Sequence, residues 1–98
     1  MGWTVIIEDE EGNAKKTMPG EFILSDEEIL SNENFRLLKY VDPYGDTTFN
    51  AFMFEDLIKD LKELKTLLPT DKKQIDTVIN YAKECNDEIH TYLKLYGD

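Results

Sequence analysis

The chain has one cysteine, one histidine and two serines among its 98 residues. A single cysteine forms no intramolecular disulfide, so the fold must rest on its hydrophobic core, and a cytoplasmic location is the expectation. Nucleophiles and bases for covalent catalysis are as scarce. Cys85 and His90 lie five positions apart, about 140° around a helix, so they cannot face each other on one. Cys85 falls on an apolar stripe, where a free cysteine acts as a small hydrophobe, and His90 reads as an element-boundary residue. No apolar run approaches the roughly 20 residues of a membrane span. The start MGWTVIIEDE lacks the basic and apolar regions of a signal peptide. Ile6 stands where myristoylation of Gly2 needs Ser or Thr. Zinc spacing, a phosphate-binding loop and a dinucleotide glycine fingerprint are all missing, and the EF-hand pattern fails because Gly12 precedes Asn13. The expectation is a protein without cofactor, metal or enzymatic activity.

Positive charge is also in short supply. Eleven bases stand against 21 acids, a net charge of −10. Residues 1–34 hold nine acids and two lysines, a net of −7, and residues 35–98 carry the remaining −3. Nucleic acid and anionic membrane are disfavoured as partners, since both require positive charge. A basic protein partner is compatible, as is a surface charged only for solubility.

What is present reads as a single α+β domain over residues 1–98. Its expected architecture is a small antiparallel sheet of four to five strands, made of two hairpins and a C-terminal strand. Two main helices and one short helix pack against that sheet. Trp3, Val5 and Ile7 alternate with Thr4, Ile6 and Glu8, a strand with an aromatic and β-branched inner face. Gly12 ends a turn that returns through Ala14–Met18, and Pro19-Gly20 stops the return strand. Ser25 and Glu28 form an expected capping box for a short helix to about Ser31. From Phe54, apolar residues at 57, 58, 61, 64, 67 and 68 mark a helix closed by Pro69, with Lys59, Asp60, Lys62, Glu63 and Lys65 on its outer face. A last helix, capped by Thr70 or Asp71, has the inner stripe Ile75, Val78, Ile79, Ala82, Cys85 and Ile89. Continued to residue 96 it would be about 39 Å long, too long for a domain with a radius of gyration near 13 Å. The alternating Thr91–Tyr96 segment therefore predicts a C-terminal strand after a helix ending near Glu88.

Phe35–Phe54 carries the clearest turn chemistry. Asp42-Pro43-Tyr44-Gly45 fits a type I turn, with Asp42 capping, Pro43 fixing φ and Gly45 left-handed in a glycine bulge. The register this predicts sets Asp42 opposite Asp46, Lys39 opposite Phe49 and Phe35 opposite Met53. Phe35, Leu37, Lys39, Val41, Thr47, Phe49, Ala51 and Met53 would then share a mostly apolar face, with Arg36, Leu38, Tyr40, Thr48, Asn50 and Phe52 on the other. At its tip, Tyr40, Asp42, Tyr44, Asp46 and Phe52 form the candidate partner-binding surface, since tyrosine beside acids suits an anchor for a basic partner; the equal alternative is that helices cover this face and the tyrosines are core. The acid runs 8–11 and 26–28 read as solvated.

The segments YVDPYGDTTFN and HTYLKLYGD resemble those of a family of small uncharacterised bacterial proteins with an Asp-Pro-Tyr-Gly-Asp-Thr hairpin and an alternating C-terminal segment closing in Gly-Asp. The resemblance covers most of the chain and favours the C-terminal strand, but implies no activity, catalytic residue or cofactor. The expected function is an acidic protein-interaction module, in its most specific form an immunity-type inhibitor of a basic bacterial toxin. The alternatives are a scaffold or regulatory homodimer without catalysis and, ranked last, a carboxylate-based metal binder.

Overall fold

The computed structural model describes residues 2–42, 44–88 and 90–97. Five strands form one antiparallel sheet: β1 (Gly2–Asp9), β2 (Ala14–Thr17), β3 (Phe22–Ile23), β4 (Asp46–Phe49) and β5 (Thr91–Gly97). The order is β2-β1-β5-β4, and β3 pairs with β1 beside Gly2 and Trp3. Two helices, α1 (Phe54–Leu67) and α2 (Lys72–Asp87), complete the α+β fold with short 3₁₀ turns at Glu27–Ser31, Leu38–Tyr40 and Pro69–Asp71. Among the described residues no helix is long and apolar enough to cross a membrane.

The hydrophobic pattern explains the layers. Trp3, Val5 and Ile7 of β1 align with Leu93 and Leu95 of β5 and Phe49 of β4 on one buried face. Helices α1 and α2 pack on each other, and α2 lies against β5, β1 and β3. The stripe Phe54, Leu57, Leu61 and Leu64 joins Ile75, Val78, Ala82 and Cys85 in the same core. Ile89 lies outside the described residues. The helix ends at Asp87 and the strand begins at Thr91. A helix continued to residue 96, about 39 Å, would exceed the protein's longest dimension of 33 Å.

The N-terminal hairpin follows its turn chemistry: Gly12 has φ +85°, and Asp9 Oδ1 accepts from the amides of Glu11 and Asn13. The central segment does not. Residues 35–41 form no strand, and β4 pairs with β5, setting Asp46 opposite Tyr96 and Phe49 opposite Leu93. The buried residues are Phe35, Leu38 and Val41, with Lys39 exposed. That is a spacing of three, the period of a 3₁₀ turn, rather than the alternation of a strand. The physical cause is Asp60. Read from sequence as outer-face, it is only 5% exposed, and its carboxylate accepts from the amides of Arg36, Leu37 and Leu38 at 2.7–3.2 Å. Donors committed to a helix side chain cannot serve a strand ladder.

The short helix at residue 27 is a 3₁₀ turn capped by Asp26, whose Oδ1 accepts from the amide of Glu28. Ser25 is not its cap. Its amide and hydroxyl both donate to Asp71 Oδ2 at 2.9 Å, tying this loop to the start of α2.

Candidate functional site

The candidate residues separate along β4. At its N-terminal end, Tyr40 and Tyr44 are 69% and 72% exposed, and Asp42 and Asp46 are also exposed. Asp42 Oδ1 accepts from the Tyr44 amide at 2.8 Å, the capping role expected of it. Its carbonyl accepts from the Trp3 indole at 3.1 Å, so the loop is anchored to β1. Gly45 is not among the residues with positive φ. A Cβ at position 45 would stand 2.7 Å from Asp42 Oδ2, so a larger residue there would have to shift the Asp42 carboxylate. The Gly45 carbonyl accepts from the Gly97 amide at 2.8 Å, which closes the loop onto β5. Pro43 lies outside the described residues. Beside this loop a pocket of about 180 Å³ is lined by Trp3, Glu27, Glu28, Leu30, Lys39 and Val41. The Lys39 ammonium sits 5.3 Å from the centre of the Tyr40 ring.

Phe52 lies beyond the other end of β4, after about 10 Å of strand. It is 95% exposed, held out in a turn where Asn50 accepts from the amides of Phe52 and Met53. Its neighbours line an open depression of about 310 Å³ that includes Asn50, His90, Thr91 and Tyr92. The chain therefore brings Tyr40, Asp42, Tyr44 and Asp46 to one end of a strand and Phe52 to the other. They flank β4 instead of forming a single tip.

The sheet face opposite the helices holds Thr4, Ile6 and Glu8 of β1, Tyr92, Lys94 and Tyr96 of β5, and Asp46 and Thr48 of β4. The sequence reading treated Glu8 as solvated, but it is buried: Tyr96 Oη donates to its Oε2, and Lys94 Nζ lies 3.6 Å from its Oε1. The bond to the Glu8 carboxylate raises the Tyr96 phenol above its ordinary pKa, with burial adding to the effect. The Lys94 ammonium is raised too, first through its bond to Tyr96.

Cys85 is buried away from this surface, while His90 borders the depression beside Phe52. Burial pushes the Cys85 thiol up to about 11, which disfavours the reactive thiolate. His90, between α2 and β5, has φ +66°, and its Nδ1 lies 3.2 Å from Glu10 Oε2. Among the described residues, no three His, Cys, Asp or Glu side chains gather as a metal site. Sequence reasoning missed the buried acids Glu8, Asp60 and Asp71. A usable signal existed for Asp60, which falls between Leu57, Leu61 and Leu64 on the helix's own apolar stripe. No protein-family model, curated protein or solved structure matches this chain.

Proposed function

We propose that this chain is an acidic protein-interaction module whose partner is a basic protein, and that its specific role is to inhibit a basic bacterial toxin in the manner of an immunity protein. One observation carries the reading. Tyr40 and Tyr44 stand 69% and 72% exposed beside Asp42 and Asp46, and Phe52 stands 95% exposed at the far end of β4, on a chain of net charge −10. Exposed aromatics supply apolar area for a partner to cover, and rigid aromatic anchors dominate many interfaces. The surrounding acids would steer a cationic partner and speed its association.

Capture from bacterial lysate on the immobilised chain, at low and then high salt, tests this reading. The expected result is a basic protein retained at low salt and released at high salt. Its association rate should fall as salt rises. Asp46→Lys should slow association, and Tyr44→Ala should weaken the complex about fivefold or more, the loss of about 1 kcal/mol at an interface anchor. The Tyr44 side chain is exposed, so Tyr44→Ala should leave the melting temperature nearly unchanged. Binding indifferent to salt and to both substitutions would overturn the proposal.

A further inference from the structure

The two edges of the sheet are built differently. Edge strand β2 carries Lys15 and Lys16, which pair with Glu88 and Glu84 at 2.8 and 3.0 Å. Lysines on an edge strand guard it against pairing with another chain. Edge strand β4, Asp46-Thr47-Thr48-Phe49, has no lysine and two β-branched residues, and no described strand pairs with its outer side.

The ladder fixes which backbone groups lie on that free side. Gly97 donates to the Gly45 carbonyl, so these opposed residues form a hydrogen-bonded pair. In an antiparallel ladder such pairs alternate with non-bonded ones. Thr47 and Phe49 therefore bond to Leu95 and Leu93, whereas the N–H and C=O groups of Asp46 and Thr48 point away from β5. These are the groups that a further strand uses.

We infer that the free edge of β4 is the docking element, and that it takes an extended, lysine- or arginine-bearing peptide segment of a partner protein as an added strand. This rests on the proposed acidic interaction module and specifies how that module binds. A strand laid along β4 would pass Asp42, Tyr44 and Asp46 at one end and Phe52 at the other, so one ligand would reach both separated groups. Its side chains on the helix-free face would stand beside Asp46 and Thr48, both exposed. Of the nearby bases, Lys94 is engaged by Glu8, Arg36 lies 3.6 Å from Asp56, and Lys39 stacks on Tyr40. The charge complement of this edge is cationic. A second copy is the poorer occupant, because edge-to-edge pairing would bring together two chains of net charge −10, each with Asp42 and Asp46 at the junction.

The test uses the full chain and an end-blocked octapeptide of alternating lysine and valine, together with the same peptide N-methylated at every residue, so that neither edge keeps a donor. The N-methyl peptide keeps charge and side chains but loses the ladder donors. Binding of the unmodified peptide is expected to weaken at least about tenfold on N-methylation, the effect of losing backbone bonds. Exchange of the Asp46 and Thr48 amides should slow at least about tenfold in the complex. Thr48→Pro should remove binding while keeping the fold, since the Thr48 N–H makes no bond to β5 and proline is tolerated on an edge. Equal binding of the two peptides would overturn strand addition, and salt-sensitive equal binding would leave the charge-driven module standing. Failure of both peptides to bind would also overturn it, with the lysate capture deciding the wider reading separately. Peptide-free protection of Asp46 and Thr48, accompanied by doubling of the mass with concentration, would replace the basic segment by a second copy.

Discussion

Asp60 decides the path of the chain between its two halves. A carboxylate that accepts three successive amides holds residues 36–38 on α1, and Leu38 then drops into the core. Asp60→Ala removes the acceptor and leaves the donors in a partly or fully buried position. At about 1–3 kcal/mol for each unsatisfied group, with incomplete additivity, the expected loss is about 3 kcal/mol or more. Asp60→Asn keeps one carbonyl oxygen but turns the other position into a donor, so its cost should be smaller, about 1–2 kcal/mol. Chemical denaturation of the three proteins checks the order, and an alanine variant as stable as the parent would contradict this role. Asp71 ties Ser25 to α2 by the same chemistry. Both acids look like ordinary helix charges when only their residue type is considered. Asp60 stands out only because its spacing puts it on the apolar stripe, whereas the identity of its donors depends on tertiary packing.

At the scale of elements, legibility followed the strength of the local pattern. β1, the hairpin at Gly12 and both helices could be placed because period and breaker agree for each, and β5 because a helix continued to residue 96 would outrun the domain. The segment 35–41 carries two periods at once. It alternates well enough for a strand, yet Phe35, Leu38 and Val41 also recur every third residue, and the buried carboxylate selects the second pattern. β4 keeps its strand character but pairs with β5, whose Thr-Tyr-Leu-Lys-Leu-Tyr run is the longer strand former. The candidate surface was legible as residues and not as a shape: the sequence left open whether these aromatics face solvent or the helices, and a false register had folded Phe52 back beside the tyrosines. The pairing of β1 with β5 has a pH signature of its own. Tyr96 is raised above its ordinary value, chiefly by its bond to Glu8. A raised group contributes its full stabilisation below the ordinary value, near pH 10, and loses it as pH climbs through the raised one. The parent should therefore lose stability faster than Tyr96→Phe above about pH 10. Parallel alkaline unfolding curves for the two proteins would contradict the Glu8–Tyr96 bond.

For the whole molecule, α2 lies against one face of the sheet with α1 packed on it, and no described strand pairs with the outer side of β4. The net charge of −10 opposes close approach of identical chains. Lys15 and Lys16 guard the exposed β2 edge, whereas the β4 edge carries no lysine. The aromatic and acidic residues proposed for partner binding flank that β4 edge. Amide hydrogen exchange, read residue by residue on the free 98-residue chain, tests the account most directly. Thr47 and Phe49 should be protected by β5, while Asp46 and Thr48 exchange quickly. Slow exchange at Asp46 and Thr48, or a protected ladder between residues 35–41 and 47–53, would contradict it.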